Sequence, residues 1–298
     1  MYFLVNKIIL FLIPVMPKFF VKFFANKYVA GVKTSQALRV VKKLNNKGLS
    51  CTLDILGEHT ADLKESNAIT NKYIDILDRI KLNSLDCNIS IKPSHIGSDI
   101  SDENFNQNIE KLLIKADNNN NFIRIDMEDS KLTDLTIETY KNNHNYKKYL
   151  GIVLQAYLLR TSHDLRTLEE NSNIRLCKGI YNEDSSIAIK DSKLINKNYI
   201  ELLNIAFDKD IYVGIATHDE KLINDILKII EDSKIDKNKF EFQMLYGVPM
   251  NKTIDYLLKN NYKVRIYVPY GRNWYDYSIR RIKENPNISK YIIQNLFK

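Results

Sequence analysis

Short β-branched segments alternate with longer amphipathic segments along most of the chain. Eight short segments predict β-strands, at residues 51–56, 88–92, 122–126, 151–155, 174–177, 212–216, 240–245 and 263–268. Amphipathic segments before and between them predict helices at residues 34–47, 69–80, 104–115, 132–141, 199–207, 220–230 and 252–259. The first of these helices opens on a capping Thr34 and ends before Gly48, which supports its bounds.

Strands that alternate with helices form a parallel sheet, because each helix returns the chain to the same end of the sheet. Eight such units in about 250 residues favour a closed sheet. We therefore predict an α/β fold, a (β/α)8 TIM-like barrel with extra N-terminal helices and a final helix over the barrel mouth. An open doubly wound sheet is the alternative. No linker or low-complexity run follows residue 50, so we predict a basic amphipathic helical segment at residues 1–50 and one barrel domain at residues 51–298.

The net charge of +8 is concentrated at the N-terminus. Residues 1–53 hold nine Lys and Arg and no Asp or Glu, whereas the remainder holds 35 basic and 36 acidic residues. Many Phe and Leu side chains accompany the charge in the first 25 residues, and this combination suits an anionic membrane surface. We therefore expect a cytoplasmic protein with peripheral membrane contact. Short helices packed under the barrel are the alternative.

Two other interpretations of the basic N-terminus fit the sequence poorly. A secretory signal would have an apolar stretch and a small-residue cleavage site, and Pro14, Pro17 and the later lysines argue against one. Nucleic-acid binding would spread basic residues over the folded domain, so no nucleic-acid partner is expected. No apolar run reaches about 18 residues, so no spanning helix is predicted.

Several kinds of chemistry lack their sequence signature in this chain. Cys51, Cys87 and Cys177 show no CxxC spacing and are expected to be reduced thiols. Phosphate-binding motifs of the GxGxxG and GxxxxGK types are absent, as is the GxSxG motif of serine hydrolases. The five histidines are scattered without HxH or HExxH spacing, so no metal site is expected.

Polar side chains collect near the carboxyl ends of nearly all predicted strands, which is where (β/α)8 barrels hold their active sites. They are Asp54, Glu58, Lys92, Asp126, Gln155, Arg175, Lys178, Thr217, His218, Gln243 and Arg265. Barrel rims are often solvated and charged, but polar groups at almost every strand end favour a functional mouth.

A predicted helix after strand eight adds a second signal. Tyr277, Arg280, Arg281 and Glu284 are spaced i, i+3, i+4 and i+7, so they lie on one face of a helix. Two adjacent arginines on such a face can clamp a carboxylate or a phosphate. A surface arginine pair bridged to Glu284 is the alternative interpretation.

Together these strings resemble the proline dehydrogenase family, the flavoenzymes that oxidise L-proline to 1-pyrroline-5-carboxylate in the first step of proline catabolism to glutamate. The resemblance spans most of the chain, from Tyr28-Val29-Ala30-Gly31 to Asn285-Pro286. Its most specific part is Arg265-Ile266-Tyr267-Val268-Pro269 followed by Tyr277-Ser278-Ile279-Arg280-Arg281-Ile282-Lys283-Glu284-Asn285, which is similar to the closing Tyr-x-x-Arg-Arg-x-x-Glu-Asn helix of the family. Residues 53–58, 175–181, 216–218 and 240–247 resemble further family strings in the expected order.

The resemblance implies a role for each matching residue. Catalytic positions are Asp126 and Arg175, with Arg175 beside the reactive edge of the flavin. Proline would contact Lys92, Leu245, Tyr267, Tyr277, Arg280 and Arg281, and Lys92 would also pair with Asp126. FAD would contact Met127, Gln155, Arg175, Lys178, Gly179, Ile180, Thr217, His218 and Glu284. Glu58 would pair with Arg280 as a gate when the site is empty.

One position departs from the family pattern. Ile180 stands where the family usually has Ala in Lys-Gly-Ala-Tyr, so a branched side chain near the flavin could crowd the pocket. The resemblance, together with the basic Phe-rich N-terminus, also favours a membrane quinone as electron acceptor. Two rival functions remain at this point: another flavin-dependent barrel enzyme such as a folate reductase, and a non-catalytic membrane-attached binding module.

Overall fold

Eight parallel β-strands close into a barrel in the computed structural model, which describes residues 22, 25–275 and 277–279. The strands are β1 Ser50–Ile55, β2 Cys87–Ile91, β3 Ile123–Ile125, β4 Leu150–Gln155, β5 Asn173–Cys177, β6 Tyr212–Ala216, β7 Phe240–Leu245 and β8 Val264–Tyr270. They follow one another around the barrel in chain order, and β1 pairs with β8 to close it. The closure confirms the predicted (β/α)8 barrel and rules out the open sheet.

Helices surround the barrel. Their bounds are α1 Thr34–Asn45, α2 Leu63–Leu82, α3 Asp102–Asn119, α4 Thr133–Asn142, α5 Thr161–Thr167, α6 Ser192–Asp208, α7 Glu220–Asp232 and α8 Asn251–Lys259. Side-chain caps set several helix starts: Asp62, Ser101, Asp191 and Asp219 each accept a hydrogen bond from a backbone N–H of the first turn. The apolar face of each long helix packs on the outward face of the strands, and this layer is the main hydrophobic core.

All eight predicted strands are present, with bounds that differ by two residues at most. Helices α2 and α6 begin six and seven residues earlier than their apolar patterns at 69–80 and 199–207 indicate, because polar capping turns precede the apolar stripe. Helix α5 was not among the predicted helices, since its seven residues are too few to show a helical period.

The barrel is joined to helical segments at both ends of the chain. Within the predicted N-terminal segment, α1 packs on β1 and β8, and residues 25–28 are helical. Tyr277 is buried in a cluster with Tyr28, Val29 and Leu56, so the start of the final helix lies against the end of β1. Among the helices that the structure describes, none has the length and apolar character that a membrane span requires. The division of the chain at residue 50 stays a prediction.

Candidate active site

A cavity of about 640 Å³ opens at the carboxyl ends of the strands. Fourteen of the predicted site residues lie within the described part of the chain, and all of them line this cavity: Glu58, Lys92, Asp126, Met127, Gln155, Arg175, Lys178, Gly179, Ile180, Thr217, His218, Leu245, Tyr267 and Tyr277. Arg280, Arg281 and Glu284 lie outside the described residues. Side chains drawn from distant parts of the sequence therefore meet at one mouth.

Asp126 and Arg175 form the centre of the cavity. Asp126 Oδ1 accepts hydrogen bonds from Arg175 Nη1 at 2.6 Å and from Ser90 Oγ at 2.8 Å, and Oδ2 accepts one from the Tyr267 hydroxyl at 2.7 Å. Arg175 Nε donates to Gln243 Oε1 at 2.5 Å, and its guanidinium lies 5.0 Å from the centre of the Tyr267 ring. Burial raises the pKa of Tyr267 well above its ordinary value, so the phenol stays a donor to the carboxylate.

Lys92 has a different partner from the expected one. Its Nζ lies 2.7 Å from Asp54 Oδ1, whereas Asp126 is engaged by Arg175, so the predicted pairing of Lys92 with Asp126 is wrong. Burial by itself would lower the pKa of Lys92, but the negative charges of Asp54 and Asp126 outweigh burial and raise the pKa above its ordinary value. Lys92 is therefore a permanent cation at the cavity wall, near both carboxylates.

The loop after β1 brings Glu58 to the cavity through a close backbone approach. Gly57 has φ +158° and packs on buried His95, so closely that a Cβ at this position would lie 2.3 Å from His95 Nε2. Burial lowers the pKa of His95 to about 3, which keeps the imidazole neutral beneath the loop. A larger residue at position 57 would displace the loop that holds Glu58.

Another set of contacts ties the ends of β5, β6 and β7 together. Lys178 Nζ and Asn196 Nδ2 donate to Asp219 Oδ2 at 2.7 and 2.9 Å, and His218 Nε2 accepts from the backbone N–H of Leu245 at 2.9 Å. Burial would raise the pKa of Asp219, but the hydrogen bonds from Lys178 and Asn196 outweigh it and lower the pKa to about 2. Asp219 therefore stays ionised and holds Lys178 at the rim.

The cavity walls offer unused hydrogen-bonding groups that fit a flavin. Arg175 Nη2 and Gln155 Oε1 are buried and have no hydrogen-bond partner among the described residues, while Gln155 Nε2 donates to the backbone carbonyl of Glu128 at 2.8 Å. A buried unpaired donor and a buried unpaired acceptor are costly unless a ligand completes them. An isoalloxazine ring offers acceptors and a donor along its polar edge, so these groups suit FAD.

Gly179 and Ile180 shape the rim beside these groups. Gly179 has φ +108°, and a Cβ there would lie 2.1 Å from the ring of Tyr157, so the backbone must run close to that aromatic side chain. Ile180 lines the cavity with 57% of its surface exposed. Its side chain therefore borders the opening rather than filling the interior.

The described part of the chain gives little evidence for a metal site or for a reactive thiol. No group of three or more His, Cys, Asp or Glu side chains that could hold a metal ion occurs there. Cys177 lines the cavity, but burial raises the pKa of its thiol to about 12, so the reactive thiolate is scarcely populated at neutral pH.

Sequence reasoning assigned no role to three residues that orient the site: Asp54 beside Lys92, Gln243 beside Arg175, and Asp219 beside Lys178. Asp54 and Gln243 were expected only as polar groups at the mouth. A signal for Gln243 was present in the sequence. Gly214 lies in the middle of β6, and a Cβ there would lie 2.3 Å from Gln243 Nε2. A glycine inside a strand marks a close approach of this kind.

Comparisons with known proteins show the family of the chain. A family model described as proline dehydrogenase matches residues 37–294. Proline dehydrogenase 1 of Bacillus subtilis (strain 168) is 33% identical over 275 residues, which cover 92% of this chain and 91% of the relative. The proline dehydrogenase of Deinococcus radiodurans is 33% identical over 281 residues, with coverage of 92% and 90%.

Among solved structures, proline utilization A from Bdellovibrio bacteriovorus, inactivated by N-propargylglycine, superposes with a TM-score of 0.80 at 25% identity. The match covers 88% of this chain but only 32% of that protein, so the chain spans about a third of the length of this relative. The same protein from Corynebacterium freiburgense superposes with a TM-score of 0.76 at 18% identity, a likeness of fold alone.

Proposed function

Because the chain belongs to the proline dehydrogenase family, we propose that it oxidises L-proline to 1-pyrroline-5-carboxylate with FAD bound in the barrel mouth. The observation that carries the proposal is the convergence of all fourteen described site residues on one cavity around Arg175, Asp126 and Tyr267. We further propose that the electrons pass to a membrane quinone and that the product enters proline catabolism to glutamate.

FAD, when bound, supplies a two-electron acceptor that takes a hydride from Cδ of proline. The chain supplies orientation and charge. Arg175 would stabilise the negative charge that develops on the cofactor, and its unpaired Nη2 is the group available for that contact. Asp126 holds the guanidinium through Nη1 and holds the Tyr267 hydroxyl on its other oxygen, which fixes the donor and the aromatic wall relative to each other.

The remaining FAD contacts would come from the rim of the cavity. Lys178, held by Asp219, and the backbone of Gly179 would meet the charged and polar parts of the cofactor, in place of a glycine-rich phosphate loop. Thr217, His218, Met127 and Ile180 would complete the binding surface on either side. Glu284 would contribute from the final helix.

The substrate end would be cationic. Lys92 lines the cavity as a buried cation, and Arg280 with Arg281 would add a bidentate clamp for the proline carboxylate. Tyr267, Tyr277 and Leu245 would wall the pyrrolidine ring and so orient its Cδ toward the flavin. Glu58, which lines the same cavity, would pair with Arg280 in the empty enzyme.

An anaerobic flavin titration tests the proposal directly. The purified protein should show visible flavin absorbance, and L-proline should bleach it stoichiometrically. NADH should leave the spectrum unchanged, because no nicotinamide-binding motif is present. Bleaching by NADH but not by proline would indicate a folate-reductase type of enzyme, and a colourless protein that gains no absorbance with added FAD would indicate a binding module.

Replacing Arg280 or Arg281 by alanine should weaken proline binding while FAD is retained. Loss of one charge-assisted bond to a carboxylate costs about 1.5–3 kcal/mol, which raises KM by roughly 10- to 150-fold. Steady-state kinetics and the flavin content of each variant measure the two effects. Arg272→Ala is the matched control, because Arg272 is an exposed arginine outside the cavity lining and should leave KM unchanged. Unchanged KM in both the Arg280 and the Arg281 variant would remove the clamp from the proposal.

The enzyme should prefer proline to 4-hydroxyproline, because the Tyr267 ring, as a wall of the substrate pocket, would take the volume that an added hydroxyl needs. Its ring is fixed by the Asp126 bond and by the guanidinium of Arg175 at 5.0 Å. Burying an unpaired hydroxyl costs about 1–3 kcal/mol, or roughly 5- to 150-fold in kcat/KM. Tyr267→Ser should narrow the gap between the two substrates and lower activity on proline. Equal efficiency of the unmutated enzyme on both substrates would contradict Tyr267 as the wall.

The N-terminal segment should promote reversible membrane association, which would place the reduced flavin near a quinone. Most of the first 25 residues lie outside the described part, so this expectation rests on their charge and Phe content. Sedimentation with anionic and with neutral liposomes, for the full chain and for a chain lacking residues 1–25, measures it. Only the full chain with anionic lipid should partition strongly, and equal partitioning in all four samples would refute the idea.

A further inference from the structure

A second cavity of about 340 Å³ lies at the opposite end of the barrel. It is formed by the amino ends of the strands and the loops that precede them, and it is separate from the residues that line the mouth. Its lining includes Asn88, Arg124, Asn173, Tyr212 and Arg265. Arg265 therefore lies at the amino end of β8, and its expected place near the carboxyl end is wrong. These side chains are rich in hydrogen-bond donors.

Arg124 is the most informative residue in this cavity. Its side chain is 2% exposed, and it donates to the carbonyl oxygens of Ile152 and Asn173 at 3.1 Å and to Asn173 Oδ1 at 2.6 Å. None of these acceptors carries a charge, no carboxylate in the described part of the chain forms an ion pair with it, and its Nε is buried without a partner. Burial, together with repulsion from Arg175 and Arg265, lowers the pKa of Arg124 to about 9.

Glu241, the carboxylate in the buried part of this cavity, already forms an ion pair with Arg265. Glu241 Oε1 lies 2.7 Å from Arg265 Nε and also accepts a hydrogen bond from Gln243. Asp86 lies at the rim, where it is exposed and accepts a hydrogen bond from Ser50. The buried part of the cavity therefore holds two guanidinium groups and one carboxylate. Glu241 attracts both guanidinium groups but forms an ion pair with Arg265 alone among the described residues, so the buried groups carry a net positive charge. Buried charges are normally paired, and an unpaired one favours an anion beside it.

The chain itself makes room for Arg124. Gly151 in β4 faces it, and a Cβ at that position would lie 2.6 Å from Arg124 Nη1. Phe122 lies under the guanidinium at 4.9 Å from its ring centre and supports it from below. These contacts hold the Arg124 side chain in one position at the cavity wall.

We propose that this cavity is a binding site for a small oxyanion, a phosphate or a carboxylate, held by Arg124 and Arg265 with the side-chain amides of Asn88 and Asn173 as neutral donors. The site is distinct from the flavin and proline sites and does not depend on the proposed reaction. Arg124 lies on β3, which ends one residue before Asp126, so a bound anion would also stabilise the strand that leads to the central carboxylate.

Calorimetric titration of the full FAD-containing protein with inorganic phosphate, at fixed pH and ionic strength set with chloride, tests the site. We expect single-site binding. Sulfate and acetate arms distinguish a preference for tetrahedral oxyanions from one for carboxylates. Direct binding is measured rather than thermal stability alone, because sulfate and phosphate stabilise most proteins by exclusion from their surface.

Asn173→Asp is the decisive variant. It places a carboxylate 2.6 Å from Arg124 Nη2 without changing side-chain size, so it should supply the missing counter-charge, raise the melting temperature and weaken phosphate binding by at least about tenfold. Arg124→Met should weaken phosphate binding to the same extent, and it serves as a second variant. Arg166→Met on α5, an exposed arginine outside the lining of both cavities, is the control and should leave phosphate affinity unchanged. Lys178→Met tests whether the anion binds at the mouth instead.

Three outcomes would overturn the proposal. One is the absence of phosphate, sulfate or acetate binding to the unmutated protein up to about 30 mM, a range that includes weak millimolar sites. Another is equal phosphate affinity in Asn173→Asp and the unmutated protein. The third is loss of binding in Lys178→Met alone, which would assign the anion to the mouth.

Discussion

Replacing Arg175 by methionine should slow the reduction of bound flavin by L-proline by about 10²- to 10³-fold, the usual effect of removing one group that stabilises developing negative charge. Methionine keeps much of the length of the side chain, so the cavity should remain filled. The loss comes from the guanidinium, whose Nη2 is buried and without a partner among the described residues while Nη1 and Nε are fixed by Asp126 and Gln243. Anaerobic stopped-flow absorbance measures the rate.

The control for this variant is Arg166→Met on α5, which removes an exposed arginine outside the cavity lining and should leave the reduction rate unchanged. Flavin content must be measured for both variants, because a loss of cofactor would also lower the rate per protein molecule. A rate of flavin reduction within twofold of the unmutated protein, at equal flavin content, would show that Arg175 has no electrostatic role in the step.

Replacing Asp126 by alanine should lower kcat/KM by about 10²-fold or more and should also destabilise the barrel. The carboxylate holds three groups at once, the Arg175 guanidinium and the hydroxyls of Ser90 and Tyr267, and its side chain is only 14% exposed. Removing one partner of a largely buried ion pair costs about 3–5 kcal/mol, because the other charge is left uncompensated. Steady-state kinetics and thermal unfolding measure the two losses separately.

The Asp126→Asn variant keeps the position of the side chain and removes its negative charge, so it tests the two contributions separately. The amide oxygen can still accept from Tyr267 or Arg175, so stability should recover more than activity does, and the remaining deficit should lie in kcat rather than in KM. The double variant Asp126→Asn, Tyr267→Phe should lose less than the sum of the two single variants, because both remove the same hydrogen bond. Additive losses would mean that the two side chains act independently and that Asp126 does not position Tyr267.

The pattern of apolar positions was sufficient to predict the architecture. A strand that is buried on both faces in a parallel barrel is a short segment of β-branched residues in the sequence. The long helices between strands repeat their apolar residues with a period of 3.6, so both kinds of element can be recognised from the sequence. Helix α5 could not be recognised in this way, because its seven residues make two turns and show no measurable apolar period. The early starts of α2 and α6 were missed because capping turns are polar and carry no apolar stripe.

The location of the site was also predictable, but its internal pairing was not. Side chains near the carboxyl ends of parallel strands must meet at one mouth, and the fourteen described site residues do so. The partner of Lys92 depends on which side chains point inward at the same height of the barrel. Asp54 pairs in register with Ser90 on β2, two residues before Lys92, and this places Asp54 within 2.7 Å of the lysine.

The sequence by itself determined the order of the strands, the end of the barrel that carries the polar groups, and the family, because all three depend on local period, spacing and motif. Only the tertiary structure decided that Lys92 pairs with Asp54, that Gly214 opens space for Gln243, and that Arg124 is buried at the far end of the barrel with no ion-pair partner among the described residues. The physical reason is the closure of the sheet. The stagger between neighbouring strands sets which inward side chains share a layer, and no local pattern of residues encodes that stagger.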